Sequence, residues 1–304
     1  MTGFAHRVLP YLSEREYVAT LVPFLAEGHA AGDRLLVVAT PTRFKLLRAE
    51  LSPAAVVEFV DSNNWYRSPG HATACAAKHF RLTGDSGLRV IGEPPWQQSA
   101  PDELAEWSCY EAACNLAFAN VPIQVVCPYR ISETPAGVLA EALRTHAEMT
   151  DVLGTRACAG YVAPRQFVPD FEPLLAPPPP ASKATVVRNG TFEDVARLAT
   201  RRALELGVVG RSARNFGLAA HEAAAQFFPD QPVEAQMKVW TARRELVGEL
   251  LCRGPRQPRI TGYLQPHPTD GTGDRLWLTR RLCRVVRLAS TPYGMRVRLH
   301  LPAL

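Results

Sequence analysis

Apolar and polar positions follow two different rhythms along this chain, and the change comes near residue 170. In the first half, Ser13-Glu-Arg-Glu16 has the form of a capping box, and Val18, Leu21, Val22 and Leu25 follow at helical spacing. Gly28 and Gly32 are expected to end that helix. Leu35-Leu-Val-Val-Ala39 is an unbroken apolar run, the mark of a strand covered on both faces. The pattern then predicts a helix over 42–50, a strand over 56–60, a helix over 70–81, a strand over 88–91, a helix over 101–118, a strand over 122–127 and a helix over 135–149. Strands alternating with helices in this way predict an α/β domain, a mostly parallel sheet covered by helices. Ligands in such sheets sit beyond the C-terminal strand ends. That places Thr40-Pro41, Asp61 to Trp65, Gly92 to Trp96 and Pro128 to Arg130 where a site is expected.

The second half predicts a short strand over 184–188, helices over 191–207 and 211–227, and a strand pair, 233–241 and 245–252, around Ala242-Arg243-Arg244. An irregular stretch over 253–272 leads to a helix over 273–284, and strands over 285–290 and 295–301 flank a Pro292-Tyr293-Gly294 turn. Helices on one face of an antiparallel or mixed sheet make an α+β sandwich. Between the halves, Val168 to Lys183 contains four consecutive prolines, Pro177 to Pro180, which exclude a helix or a central strand and favour a stiff polyproline spacer. The expected organisation is therefore a domain over 1–167, a linker over 168–183 and a second domain over 184–304.

Composition narrows the function classes. With 304 residues, 47% hydrophobic and 21% charged, the chain can build two cores. No apolar run approaches the ~18–20 residues that span a bilayer, and the N-terminus has no signal-peptide core, so a cytoplasmic location is expected. The seven cysteines form no C-x-x-C pair and read as reduced thiols, Cys127 among them as a core residue, so no metal site is expected. The eight histidines do not cluster in sequence. Residues 1–180 carry 14 basic and 19 acidic side chains, and residues 181–304 carry 20 and 10. The arginines of the second half follow no helix-turn-helix or aromatic-interleaved pattern, so nucleic acid is not the expected partner, and binding it through the basic second half stands as a further alternative function. None of the four lysines, Lys45, Lys78, Lys183 and Lys238, follows a glycine, which excludes a Walker A loop. G-x-G-x-x-G, G-x-S-x-G and H-E-x-x-H are absent as well.

From about residue 184 to the end, several segments resemble the ATPase domain of anti-sigma regulatory factors, within the gyrase and histidine-kinase ATP-binding superfamily. They are Leu218 to Gln226, Glu249 to Gly254, Gly273 to Leu278 with Leu282-Cys283, and Arg296 to His300. The resemblance implies a helix carrying Glu-x-x-x-Asn for water and magnesium, a strand ending in Asp-x-Gly for adenine, and a glycine-rich loop for phosphate. Glu222 keeps the first position, and Gly254 and Gly273 keep glycines of the later boxes. Gln226 stands where the Asn belongs, Cys252 where the Asp belongs, and Arg275 where a glycine belongs. Gln is one methylene too long for strict magnesium geometry, a thiol is a poor acceptor, and a long side chain obstructs phosphate. The expectation is an ATPase fold without catalysis, with ATP and magnesium only if the altered boxes still bind. Glu222 would be catalytic only in an active serine kinase, the alternative function.

The first half, over about residues 4–150, resembles the MEDS sensory domain through Phe4-Ala-His6, Tyr11, Glu16, Pro23-Phe24-Leu25 and Gly28 to Asp33. Arg89 to Trp96, Tyr110 to Asn115, Cys127-Pro-Tyr129 and His146 continue the match. The resemblance implies a RecA-like sheet without its phosphate loop and a role in sensing small, hydrocarbon-like molecules. The pairing of the two halves resembles an arrangement of actinobacterial regulators, which implies a non-enzymatic signalling or transcription regulator. Its partner would be a sigma factor or an anti-sigma antagonist. Glu93, at a strand end beside Trp96, is a candidate to hydrogen-bond the small molecule, with Tyr129 and His146 joining it if the next strand end is adjacent.

Overall fold

The computed structural model describes residues 3–81, 86–94, 99–170, 175–228, 232–252, 257–265, 274–292 and 294–303. Its Cα trace divides into two compact units: Met1–Arg67 with Ala72–Glu172, and Ser68–His71 with Pro173–Leu304. The molecule is α/β in its first unit, with a seven-stranded, mostly parallel sheet, and carries a separate five-stranded antiparallel sheet in its second. Among the described residues no helix is long and apolar enough to cross a membrane.

The first unit runs β1 (Ala5–Tyr11), α1 (Glu14–Ala30), β2 (Arg34–Ala39), α2 (Pro41–Glu50), β3 (Val57–Asp61), the single turn α3 (Ser62–Trp65), α4 (Pro69–Arg81), β4 (Leu88–Gly92), α5 (Pro101–Ala117), β5 (Ile123–Arg130), α6 (Ala136–Thr145), β6 (Glu148–Asp151) and β7 (Gly154–Ala157). The strand order is β3-β2-β4-β5-β1-β6-β7, with only the β6–β7 hairpin antiparallel. The crossovers β1→β2→β3 move toward one edge and β3→β4→β5→β6 toward the other. Right-handed crossovers running in opposite directions put their helices on opposite faces. Accordingly Tyr17, Leu21, Phe24 and Leu25 of α1 and Leu47 of α2 share a core with Leu9, Tyr11, Leu35, Val37, Ile91 and Val126. The alternate positions Val38, Val90, Gly92, Val125 and Cys127 meet Ala76 of α4 and Tyr110, Glu111 and Cys114 of α5.

Several details differ from the sequence pattern. The central strand β1, AHRVLPY, lacks an apolar run and was not predicted. Its Pro10 is tolerated because β6 pairs only with Arg7 and Val8, so the missing N–H lies past that pairing. Gly28 does not end α1; the helix passes through it to Ala30, and a Cβ there would lie 2.6 Å from Cδ of Arg89. The turn is made by Gly32, at φ +76°. The helix expected over 135–149 stops at Thr145, and residues 148–151 become β6.

The second unit runs β8 (Thr185–Gly190), α7 (Phe192–Glu205), α8 (Gly210–Phe227), β9 (Val233–Ala242), β10 (Glu245–Cys252), α9 (Leu276–Leu282), β11 (Val285–Thr291) and β12 (Gly294–Pro302), in strand order β11-β12-β10-β9-β8. Every expected element is present, with the helix expected over 273–284 trimmed to α9. A Thr191–Asp194 capping box starts α7, and the apolar faces of α7 and α8 close a core over the sheet. The proline-rich segment is more than a spacer. Arg144 donates to the Val168 carbonyl within the first unit, and Arg298 donates to the Ala176 carbonyl within the second.

Candidate functional site

The first unit gathers His6, Glu111, Cys127 and His146 from β1, α5, β5 and the end of α6. Parallel pairing sets Val8 opposite Cys127, and the two-residue period of a strand turns His6 to the same face as Val8. Glu111 comes down from α5. His146 caps α6: its backbone N–H donates to the Ala142 carbonyl at 3.1 Å, and its ring Nδ1 lies 2.8 Å from the same oxygen. A carbonyl only accepts, so Nδ1 carries the proton and Nε2 is a bare acceptor. Asn115 ties the two helices together by donating to the Thr145 carbonyl at 2.8 Å.

The four polar tips converge. His6 Nε2 lies 3.2 Å from Glu111 Oε2 and 3.4 Å from Cys127 Sγ. Glu111 Oε2 lies 4.0 Å from Cys127 Sγ and 3.8 Å from His146 Nε2, and the two imidazole centroids are 3.9 Å apart. All four residues are buried. Burial pushes the Glu111 carboxyl up to about 7, drives His6 down to about 4 and His146 down to about 3, and raises the Cys127 thiol well above its ordinary value. Such a group keeps its imidazoles neutral at physiological pH. It can hold a cation of borderline softness, or serve as the polar pole of an otherwise apolar cavity.

A cavity of about 30 Å³ does adjoin it, lined by His6, Glu111 and Cys127 together with Phe4, Trp65, Tyr66, Tyr110, Cys114 and Phe118. That exceeds the roughly 10–15 Å³ a water needs. Tyr66, Trp107 and Tyr110 form an edge-to-face ladder with centroids 5.7 and 5.5 Å apart, which fixes the aromatic wall. Gly92 forms part of the lining, where a Cβ would lie 2.8 Å from the Tyr66 hydroxyl.

Glu93 belongs to a different cluster. It follows Gly92 by one residue and so takes the opposite face. There Tyr11 OH donates to its Oε1 at 3.2 Å, Arg43 Nη2 donates to the Tyr11 hydroxyl at 2.8 Å, and Arg43 Nε sits 3.4 Å from the carboxylate. Burial raises the Glu93 carboxyl, against the pull of Arg43 and Tyr11. Of the four ligand candidates read from sequence, Tyr129 and His146 come together, with ring centroids 6.1 Å apart. Glu93 does not join them, and Trp96 lies outside the described residues.

In the second unit, Glu222 accepts from the neighbouring His221 ring at 3.1 Å. Gln226 receives the backbone N–H of Arg275 on its side-chain oxygen at 2.8 Å, which uses it as a brace for the start of α9. Cys252 is fully buried, its thiol pushed up to about 12 by burial. Gly254 and Gly273 lie outside the described residues.

Sequence reasoning singled out His146 and missed His6 and Glu111 as its companions. The signal was present: His6, Glu111, Cys127 and His146 all fall in the segments that carried the resemblance of the first half, though far apart in the chain. No curated protein matches the chain. Residues 5–147 do match a family model, that of MEDS, the MEthanogen/methylotroph, DcmR Sensory domain, and over that span the chain is similar to a sensory module.

Proposed function

We propose that the chain is a non-enzymatic regulator whose first unit senses a small neutral molecule and whose second unit binds a protein. The observation that carries the first part is the cavity under α5, with an aromatic wall and a polar pole made by His6, Glu111 and Cys127. A neutral guest with one hydrogen-bonding group matches that lining; an anion would lose its hydration against the Glu111 carboxyl and the apolar wall. The family match over 5–147 supports a sensory role. Titration of the full chain with one- and two-carbon alcohols and halides tests it, read by tryptophan fluorescence, since Trp65 lines the cavity. Saturable quenching is expected. A linear response through the whole series would refute the sensing role.

The second unit, in this reading, is a histidine-kinase-like ATPase fold put to partner binding, the partner being a sigma factor or an anti-sigma antagonist. The element order of strand, two helices, strand pair, helix and strand pair, with helices on one face, supports the fold. The loss of nucleotide chemistry is supported by Gln226, whose oxygen is committed to Arg275 where the resemblance places a magnesium ligand. Equilibrium dialysis of the full chain against Mg-ATP should show no saturable binding. Micromolar binding with phosphotransfer would restore the serine-kinase alternative.

A further inference from the structure

We propose that His6, Glu111, Cys127 and His146 form a tetrahedral site for one transition-metal dication of the zinc class. The donors would be His6 Nε2, a Glu111 carboxylate oxygen, the Cys127 thiolate and His146 Nε2. Three observations support this, and none depends on whether the adjoining cavity takes a guest.

Geometry comes first. Zinc bonds of about 2.0–2.1 Å to nitrogen and oxygen and about 2.3 Å to sulfur set tetrahedral donor–donor separations of about 3.3–3.6 Å. The separations here are 3.2, 3.4, 3.8 and 4.0 Å, and all four donor atoms lie within 4.8 Å of one another. For these four pairs, a shift of a few tenths of an ångström in each side chain would reach bonding geometry.

The second observation is His146 itself. It is fully buried, its Nε2 is directed at Glu111, and that nitrogen has no hydrogen-bond partner. Buried polar atoms are seldom left so, and the exceptions call for an explanation. Its other nitrogen rests on the Ala142 carbonyl, which fixes the tautomer whose Nε2 lone pair points into the cluster. Metal-bound histidines are held in the same way, by an outer hydrogen bond on the far nitrogen.

The third is the donor set. One thiolate and one carboxylate balance a dication, so the loaded site carries no net charge into the core. The thiol proton, and the carboxyl proton where present, leave to solvent on binding. Sulfur and imidazole donors disfavour magnesium and calcium, which take oxygen, and favour zinc or its neighbours.

The test uses the full chain, stripped with a chelator and titrated with Co²⁺ and then Zn²⁺. Expected are one Co²⁺ per chain, the strong visible bands of tetrahedral cobalt with a sulfur-to-cobalt charge-transfer band, and displacement by one Zn²⁺. X-ray absorption of the zinc form should give one sulfur at about 2.3 Å and three nitrogen or oxygen ligands at about 2.0–2.1 Å. Cys127→Ser should abolish the charge-transfer band, His146→Gln should weaken binding at least about 10-fold, and Cys75→Ser should change neither. Failure to bind one ion, a shell with no sulfur or with several, or unchanged binding in both site variants would overturn the assignment. If both variants fail to fold, the ligand shell of the wild-type chain decides the matter alone.

Discussion

Arg243 and Arg244 make the two-residue turn between β9 and β10 at φ 47° and 65°, with Ala242 paired to Glu245. Positive φ at both central positions is what a type I′ hairpin requires, and Asn-Gly is the sequence that adopts it most easily. A side chain in the left-handed region costs roughly 1–2 kcal/mol. Replacing Arg243 by Asn and Arg244 by Gly should therefore stabilise the second unit by about 1 kcal/mol, measured as a higher urea midpoint at unchanged slope. Beside the turn, Glu245 is held by Arg284 and by His300, whose Nδ1 is 3.2 Å from Oε2. Burial alone would raise its carboxyl, but these partners bring it down to about 2. A carboxyl depressed on folding stabilises above its ordinary value, and that stability is lost as pH falls from about 4.5 toward 2. Glu245→Gln should flatten the acid side of the stability profile in that window and leave its shape near neutrality alone, as read by denaturation at a series of pH values.

At the scale of elements, the buried strands of the first unit were legible because they are covered on both faces and read as apolar runs, Leu35 to Ala39 most plainly. β1 was illegible for the converse reason: His6 and Arg7 spend their polarity on partners the sequence cannot display, Glu111 for one and Glu148 for the other. The same limit divided the candidate site. Glu93 and Tyr129 both lie near C-terminal strand ends, but the two-residue period and the strand register decide which face each takes, and register is a property of the pairing. Helix ends were legible where a capping residue marks them, as at Ser13, whose hydroxyl accepts from the Glu16 N–H. The Glu16 carboxylate reaches the Leu12 N–H instead of the capping residue's own. The end of α6 was missed because His146 supplies the cap with its ring, a role that periodicity does not announce. In the second unit, α8 crosses β10 at Gly248, where a Cβ would meet the buried Phe216 ring at 2.4 Å. Gly248→Ala should cost about 1–3 kcal/mol through overpacking, detectable by urea denaturation.

At the scale of the whole molecule, the described residues form one hydrophobic cluster within the first unit, from Leu9 to Val126, and one within the second, from Val195 to Leu301. Calorimetry of the full chain should accordingly resolve two transitions, with Gly248→Ala lowering one and leaving the other in place. A single transition that moves as one would show that the units unfold together. A small guest of the first unit has two faces of the sheet open to it. Gly92 and Glu93 decide between them, because adjacent residues of one strand end serve opposite faces: Gly92 lines the cavity under α5, and Glu93 belongs to the Tyr11–Arg43 cluster. The most direct measurement is the affinity of the full chain for the one- and two-carbon alcohols and halides in three forms: wild type, Gly92→Ala and Glu93→Gln. Weakening of at least about 10-fold in Gly92→Ala, about 1.4 kcal/mol or more, with wild-type affinity in Glu93→Gln, is the expected result. Loss of binding in Glu93→Gln with Gly92→Ala unaffected would contradict it and move the site to the other face of the sheet.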